Sequence, residues 1–150
     1  MSWKSLAALA AIFAFCTTLM AQDQSKAEPF LGVWTNQQTG QMIVNLPASG
    51  GYTSIRVNIG ADNKSSAENH PVAFDGKPYA TTGGDARKIS YRWIDANTVE
   101  RTQDRNGTLT VDTEQVSQDG KTLTIKAANG GAPRVFEKQF NLQPAGAERQ

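Results

Sequence analysis

From residue 30 onward, apolar and polar positions alternate in short runs. Ile55, Val57 and Ile59 alternate with Ser54, Arg56 and Asn58, and Ile89, Tyr91 and Trp93 alternate with Lys88, Ser90 and Arg92. Leu109 and Val111 alternate with Thr108, Thr110 and Asp112, and Leu123 and Ile125 with Thr122, Thr124 and Lys126. Met42, Val44 and Leu46 alternate with Ile43 and Asn45, and residues 135–140 form a last run. A period of two belongs to a strand with one face on a core and the other in water. The apolar members of each run are therefore expected inside. No segment beyond residue 22 carries a 3.6-residue apolar repeat over three turns, so little or no helix is expected there.

Turn signals separate the runs. Ser49-Gly50-Gly51, Asp75-Gly76, Gly83-Gly84, Asn106-Gly107, Asp119-Gly120 and Asn129-Gly130-Gly131 supply residues that accept the positive φ of tight hairpins. Asp95-Ala96-Asn97 reads as one more short connection. The spacing predicts an all-β, antiparallel up-and-down meander of about eight strands, closed as a barrel or folded as a two-sheet sandwich. Closure would remove the unpaired edges that invite aggregation. Residues 60–78 carry the weakest pattern. Residues 61–66 read as a loop, and 70–74 read as a strand that Pro71 confines to an edge or a bulge.

The N-terminus adds an address. Lys4 precedes an apolar run over residues 6–15, and no charge follows until Asp23. A basic start, a short apolar centre and a small residue at the cut describe a secretory signal, with cleavage expected after Ala21. The uncharged stretch, 5–22, approaches a membrane span in length, but its polar end (Cys16, Thr17, Thr18) favours the cleavable signal over an anchor. The organisation expected is a signal peptide at 1–21, a flexible lead-in at 22–29, a single β-domain at 30–142 and a flexible tail at 143–150. The location implied is periplasmic or secreted, with membrane contact only through the signal before cleavage. Cys16, the only cysteine, leaves with the signal, which excludes disulfides, thiol catalysis and cysteine–metal sites from the mature chain. The remaining 129 residues hold 14 basic and 14 acidic side chains with no basic run, which speaks against a nucleic-acid partner.

Candidate chemistry is sparse. His70 is the only histidine, lacks a second ligand or orienting partner in the pattern, and reads as an ordinary surface residue. Asp104, Asn106 and Asp112 lack the spacing of a calcium loop. Glu100 and Glu114 would face each other across neighbouring strands, the equipment of a glycosidase, but Arg101 and Arg105 stand ready to pair with them. No G-x-S-x-G elbow and no phosphate-cradling loop before a helix occurs. No enzyme activity, metal or cofactor is expected. Asn63-Lys64-Ser65 and Asn106-Gly107-Thr108 match the glycosylation sequon, which a bacterial origin would leave unused.

Two resemblances emerge from these residues. Gly32-Val33-Trp34, at the first strand, resembles the G-x-W signature of lipocalin-like barrels. The resemblance implies that Trp34 plugs the closed end, and that a basic side chain from the last strand, Arg134, packs across it. Residues 74–125 are similar to a group of uncharacterised small exported bacterial proteins. The similarity runs through Phe74-Asp75-Gly76-Lys77-Pro78-Tyr79, Asp95-Ala96-Asn97-Thr98-Val99-Glu100 and Ser117-Gln118-Asp119-Gly120-Lys121-Thr122. It transfers no catalytic residue.

Two function classes follow. In the first, a lipocalin-like barrel holds a small, mainly apolar ligand, with Tyr91, Trp93 and Phe136 as cavity residues. In the second, a solid-core envelope or adhesion module engages a protein or polysaccharide through arginine-rich outer faces that carry Arg87, Arg92, Arg101 and Arg105. An internal void of several hundred Å³ separates them.

Overall fold

The computed structural model describes residues 26–142. The expected signal peptide, its cleavage site and the C-terminal tail lie outside the described residues. A 3-10 turn at Glu28–Phe30 leads into ten strands: β1 (Gly32–Thr35), β2 (Met42–Ala48), β3 (Gly51–Ile59), β4 (Ser65–Ala73), β5 (Tyr79–Ala80), β6 (Lys88–Asp95), β7 (Thr98–Arg105), β8 (Thr108–Val116), β9 (Thr122–Ala127) and β10 (Arg134–Phe140). All belong to one antiparallel sheet in which consecutive strands pair, except β4 with β5, and β1 closes onto β10. The remaining edges, β4 and β5, meet at one bridge, where Asn69 and Thr82 exchange two 2.8 Å backbone hydrogen bonds. The architecture is thus a nearly closed, barrel-like meander rather than two facing sheets. Ten strands replace the expected eight, because residues 65–73 form a full strand and Tyr79-Ala80 adds a two-residue one.

Local chemistry sets these elements. Between β7 and β8, Asn106 and Gly107 both take positive φ (54° and 86°), and the Asp104 side chain accepts the Gly107 N–H at 2.8 Å. Two successive left-handed residues give the turn whose twist matches a hairpin. Pro71 sits in β4 two residues beyond Asn69, so its missing N–H falls on the side facing β5, where the ladder has ended. Gly32 takes φ +125°, and a Cβ there would lie 2.4 Å from the Phe140 carbonyl oxygen. The first strand therefore needs glycine to approach β10, beside a register shift at Val33/Trp34.

One end of the barrel is filled. Trp34 is fully buried and donates its Nε1–H to the Phe30 carbonyl at 3.0 Å, which Asn45 also reaches at 2.8 Å. Phe30 stacks on Tyr52 and meets Trp93 edge-on at 5.8 Å, and Phe74 stacks on Trp93 at 4.0 Å. Ala27 and Phe30 are buried, so the chain enters the fold before the expected end of its lead-in at Pro29. The cation over Trp34 is Lys138, with Nζ 4.4 Å from the ring centre and donating to the Pro29 carbonyl. This corrects the expectation for Arg134, which lies four residues earlier on β10, at the other end of the barrel.

The facing of three strands also differs from expectation. On β2 the buried residues are Ile43 and Asn45, on β3 Gly51, Tyr52, Ser54 and Arg56, and on β8 Asp112, Glu114 and Val116. Met42, Leu46, Ile59 and Leu109 are exposed instead. Cross-strand pairing places Ile43 opposite Arg56, Arg56 opposite Glu68, and Arg101 opposite Asp112, so charged rows run through the interior.

Candidate functional site: an arginine-lined cup

A cavity of about 460 Å³ opens at the end opposite Trp34. Residues at the end of β3 and β7 and the start of β2, β8 and β10 bring Arg56, Asn58, Gln103, Arg105, Thr108 and Arg134 to its wall. Arg87, from the β5–β6 connection, and Arg101 complete a set of five arginines. Among the described residues, Glu68 is the only carboxylate at that wall. Ile43 and Phe136 supply the inward-facing apolar part.

Beneath the wall runs a buried network. Arg56 Nη2 donates to Glu114 at 2.6 Å and to the Tyr91 hydroxyl at 3.3 Å. Arg101 Nη1 reaches the same Glu114 oxygen at 3.1 Å and also bonds Asp112, which accepts from Gln103 at 3.0 Å. Burial opposes the charge on Glu114, but the adjacent Arg56 and Arg101 reverse that and hold its carboxyl below the usual glutamate value. Burial raises the Tyr91 and Tyr52 hydroxyls. His70 Nε2 stands 3.1 Å from the Tyr91 hydroxyl, with the two rings stacked.

His70 is therefore a fully buried member of this network, not a surface residue. It lies on the inward face of β4, where burial and then the charges of Arg56, Arg101 and Arg87 lower its pKa to about 3. Charge pairing accounts for four of the five arginines. Arg56 and Arg101 share Glu114, Arg101 also holds Asp112, Arg87 bonds Glu68, and Arg105 stands 3.4 Å from the exposed Asp85. Arg134 has no carboxylate within 4 Å among the described residues. Arg134 is exposed at the rim, yet the partial removal of its guanidinium from water, followed by the charges of Arg101 and Arg56 against those of Asp112 and Glu114, lowers its pKa.

Of the three cavity residues expected, Phe136 lines the cup. Tyr91 lies beneath it with its hydroxyl in the network, and Trp93 packs at the filled end between Phe30 and Phe74. The wall is mainly polar where an apolar one was expected. Arg101 is buried and Arg87 is half-buried at the cup wall, neither on the outer face, while Arg92 does lie outside, paired with Glu100 at 2.7 Å. Glu100 and Glu114 point to opposite faces and cannot act together. Asp112 is occupied by Arg101, and among the described residues no group of three or more acidic, histidine or cysteine side chains is placed to hold a metal. Comparison with protein-family models, curated proteins and solved structures finds no match for this chain.

Proposed function

We propose that this protein is a small-molecule-binding barrel of the lipocalin-like kind, exported to the periplasm or beyond, whose ligand sits in the arginine-lined cup. The observation that carries this reading is the cavity of about 460 Å³ above a filled aromatic end. Its size falls in the roughly 300–1,000 Å³ range of small-molecule sites. Its polar groups are held by pairing before any ligand arrives, so little ordering remains to oppose binding. The ligand is more polar than the mainly apolar one suggested by the inward aromatics. Native mass spectrometry of the protein from its exporting host, beside an organically extracted sample, tests the reading. A stoichiometric small molecule removed by extraction is the expected result.

A second reading, an interaction module, draws support from the outer face of β2 and β3. Met42, Leu46 and Ile59 are exposed there, and Val44 pairs with Ile55 between them. A protein that carries no small molecule, and takes up none from a panel of neutral and charged probes, would shift the assignment to that face.

A further inference from the structure

The cup contains an imbalance. Four of its arginines have carboxylate partners, and the fifth, Arg134, has none among the described residues. Of the charges that reach it, those of Arg101 and Arg56 outweigh the opposing ones of Asp112 and Glu114. The lining is also short of acceptors. Arg56, Arg87 and Arg101 each keep a buried Nε–H with no hydrogen-bond partner in the protein. A guanidinium carries five donors and no acceptor, and its forked geometry matches a carboxylate or phosphate oxygen pair. Such a wall is complementary to a ligand that brings acceptors and negative charge.

The apolar groups define the rest of the ligand. Arg134 and Phe136 are successive residues on the inner face of β10, so the ring lies one pleat step, roughly 6–7 Å, along the strand from the arginine. Ile43, buried on β2, adds a second apolar surface at the same wall.

We infer that the cup binds an amphiphilic oxyanion: its carboxylate or phosphate group is taken by Arg134 at the rim, and its hydrocarbon body lies against Phe136 and Ile43. This rests on the binding reading above and adds the ligand's chemical class and the residue that selects it. Arg134 is the selecting group because it alone keeps its charge unmatched. Arg87 and Arg101 are held by partners of their own and shape the wall around it.

Calorimetry with octanoate, octan-1-ol and inorganic phosphate on the purified protein, and on Arg134→Gln and Arg134→Lys, tests the inference. Arg134 is exposed, so both variants are expected to keep the wild-type fold, which circular dichroism checks. Charge-assisted hydrogen bonds predict that octanoate binds the wild type roughly tenfold or more tightly than octan-1-ol. Arg134→Gln should abolish that preference, and Arg134→Lys should retain part of it. Phosphate should compete with octanoate, because both would occupy the same guanidinium. Equal binding of octanoate and octan-1-ol would overturn the oxyanion inference and leave the ligand-binding barrel standing. A preference that survives Arg134→Gln would overturn the role of Arg134. Failure of all three probes to bind would overturn the inference, and the binding reading beneath it would then stand or fall on the co-purifying molecule.

Discussion

The buried histidine makes the stability of this barrel depend on mild acid, by an amount that can be worked out. His70 has no solvent exposure and faces Tyr91 from β6, Ser54 and Arg56 from β3, and the charges of Arg87 and Arg101. The carboxylates of the same network, Glu68 and Glu114, are already paired with arginines. In the folded chain the imidazole stays neutral down to a pH of about 3, whereas the unfolded chain protonates it near 6.5. Between those values the unfolded state binds more protons, so stability is full above pH 6.5 and falls as the pH drops through the window. At pH 5 the loss amounts to about 2 kcal/mol, given roughly 1.4 kcal/mol per unit. Urea unfolding at pH 8 and pH 5 measures it, with His70→Gln as the comparison. The variant starts from a lower stability and should lose far less between the two pH values. As the only histidine of the chain, His70 also gives a single imidazole signal in proton NMR. Parallel losses in wild type and variant, or a titration midpoint near 6.5, would refute the burial of a neutral imidazole among arginines.

Three substitutions probe the rest of the framework. Glu114→Gln leaves Arg56 and Arg101 buried without their shared anion, and should cost about 3–5 kcal/mol in chemical unfolding; a loss under 1 kcal/mol would mean that the pair is solvated. Trp34→Ala empties the filled end and should cost about 3–5 kcal/mol, and the same threshold would show that the residue is not the plug. Gly32→Ala places a methyl group against the Phe140 carbonyl at an unfavourable φ, for a thermal destabilisation equivalent to about 1–3 kcal/mol or more. Unchanged unfolding of that variant would show that β1 and β10 can separate without penalty.

The strands and turns were legible because alternation and glycine-centred turns are local properties. Ile89, Tyr91, Leu123 and Ile125 lie inside as their pattern implies. The facing of β2, β3 and β8 was not legible, because a period of two does not say which set of residues turns inward. For β3, that choice depends on what stands opposite: Arg56 turns inward where Ile43 and Glu68 flank it and Glu114 reaches it from β8. A signal did exist in β7, Thr98–Arg105. Apart from Val99 both of its faces are polar, so whichever face turned inward had to bring polar groups with it. Read with Glu68 and His70 on β4 and with Asp112 and Glu114 on β8, that strand announces a charged interior. His70 was misplaced because its partners, Tyr91 and the arginines, lie on other strands and leave no trace in the local pattern, while Pro71 beside it sits on the unpaired side of an edge strand.

The division of the interior into two halves bears on why the charges are there. At the filled end, Phe30, Trp34, Tyr52 and Leu123 stabilise the barrel mainly by burial. At the other end, Arg56, Arg101, Asp112 and Glu114 are removed from water, and their mutual attraction has to offset a desolvation cost of several kcal/mol for each ion. Well-packed apolar residues in those positions would be as stable or more so. Stability is thus a poor reason for this network, and its position supplies a better one. It lies directly under a cavity, fixes two of the arginines in that wall, and leaves Arg134 free above them. Replacing Arg56, Arg101, Asp112 and Glu114 together by apolar residues of similar volume should accordingly keep or raise the unfolding free energy while abolishing octanoate binding. Loss of both would mean that the charges hold the barrel together, and retention of both would mean that they serve neither purpose.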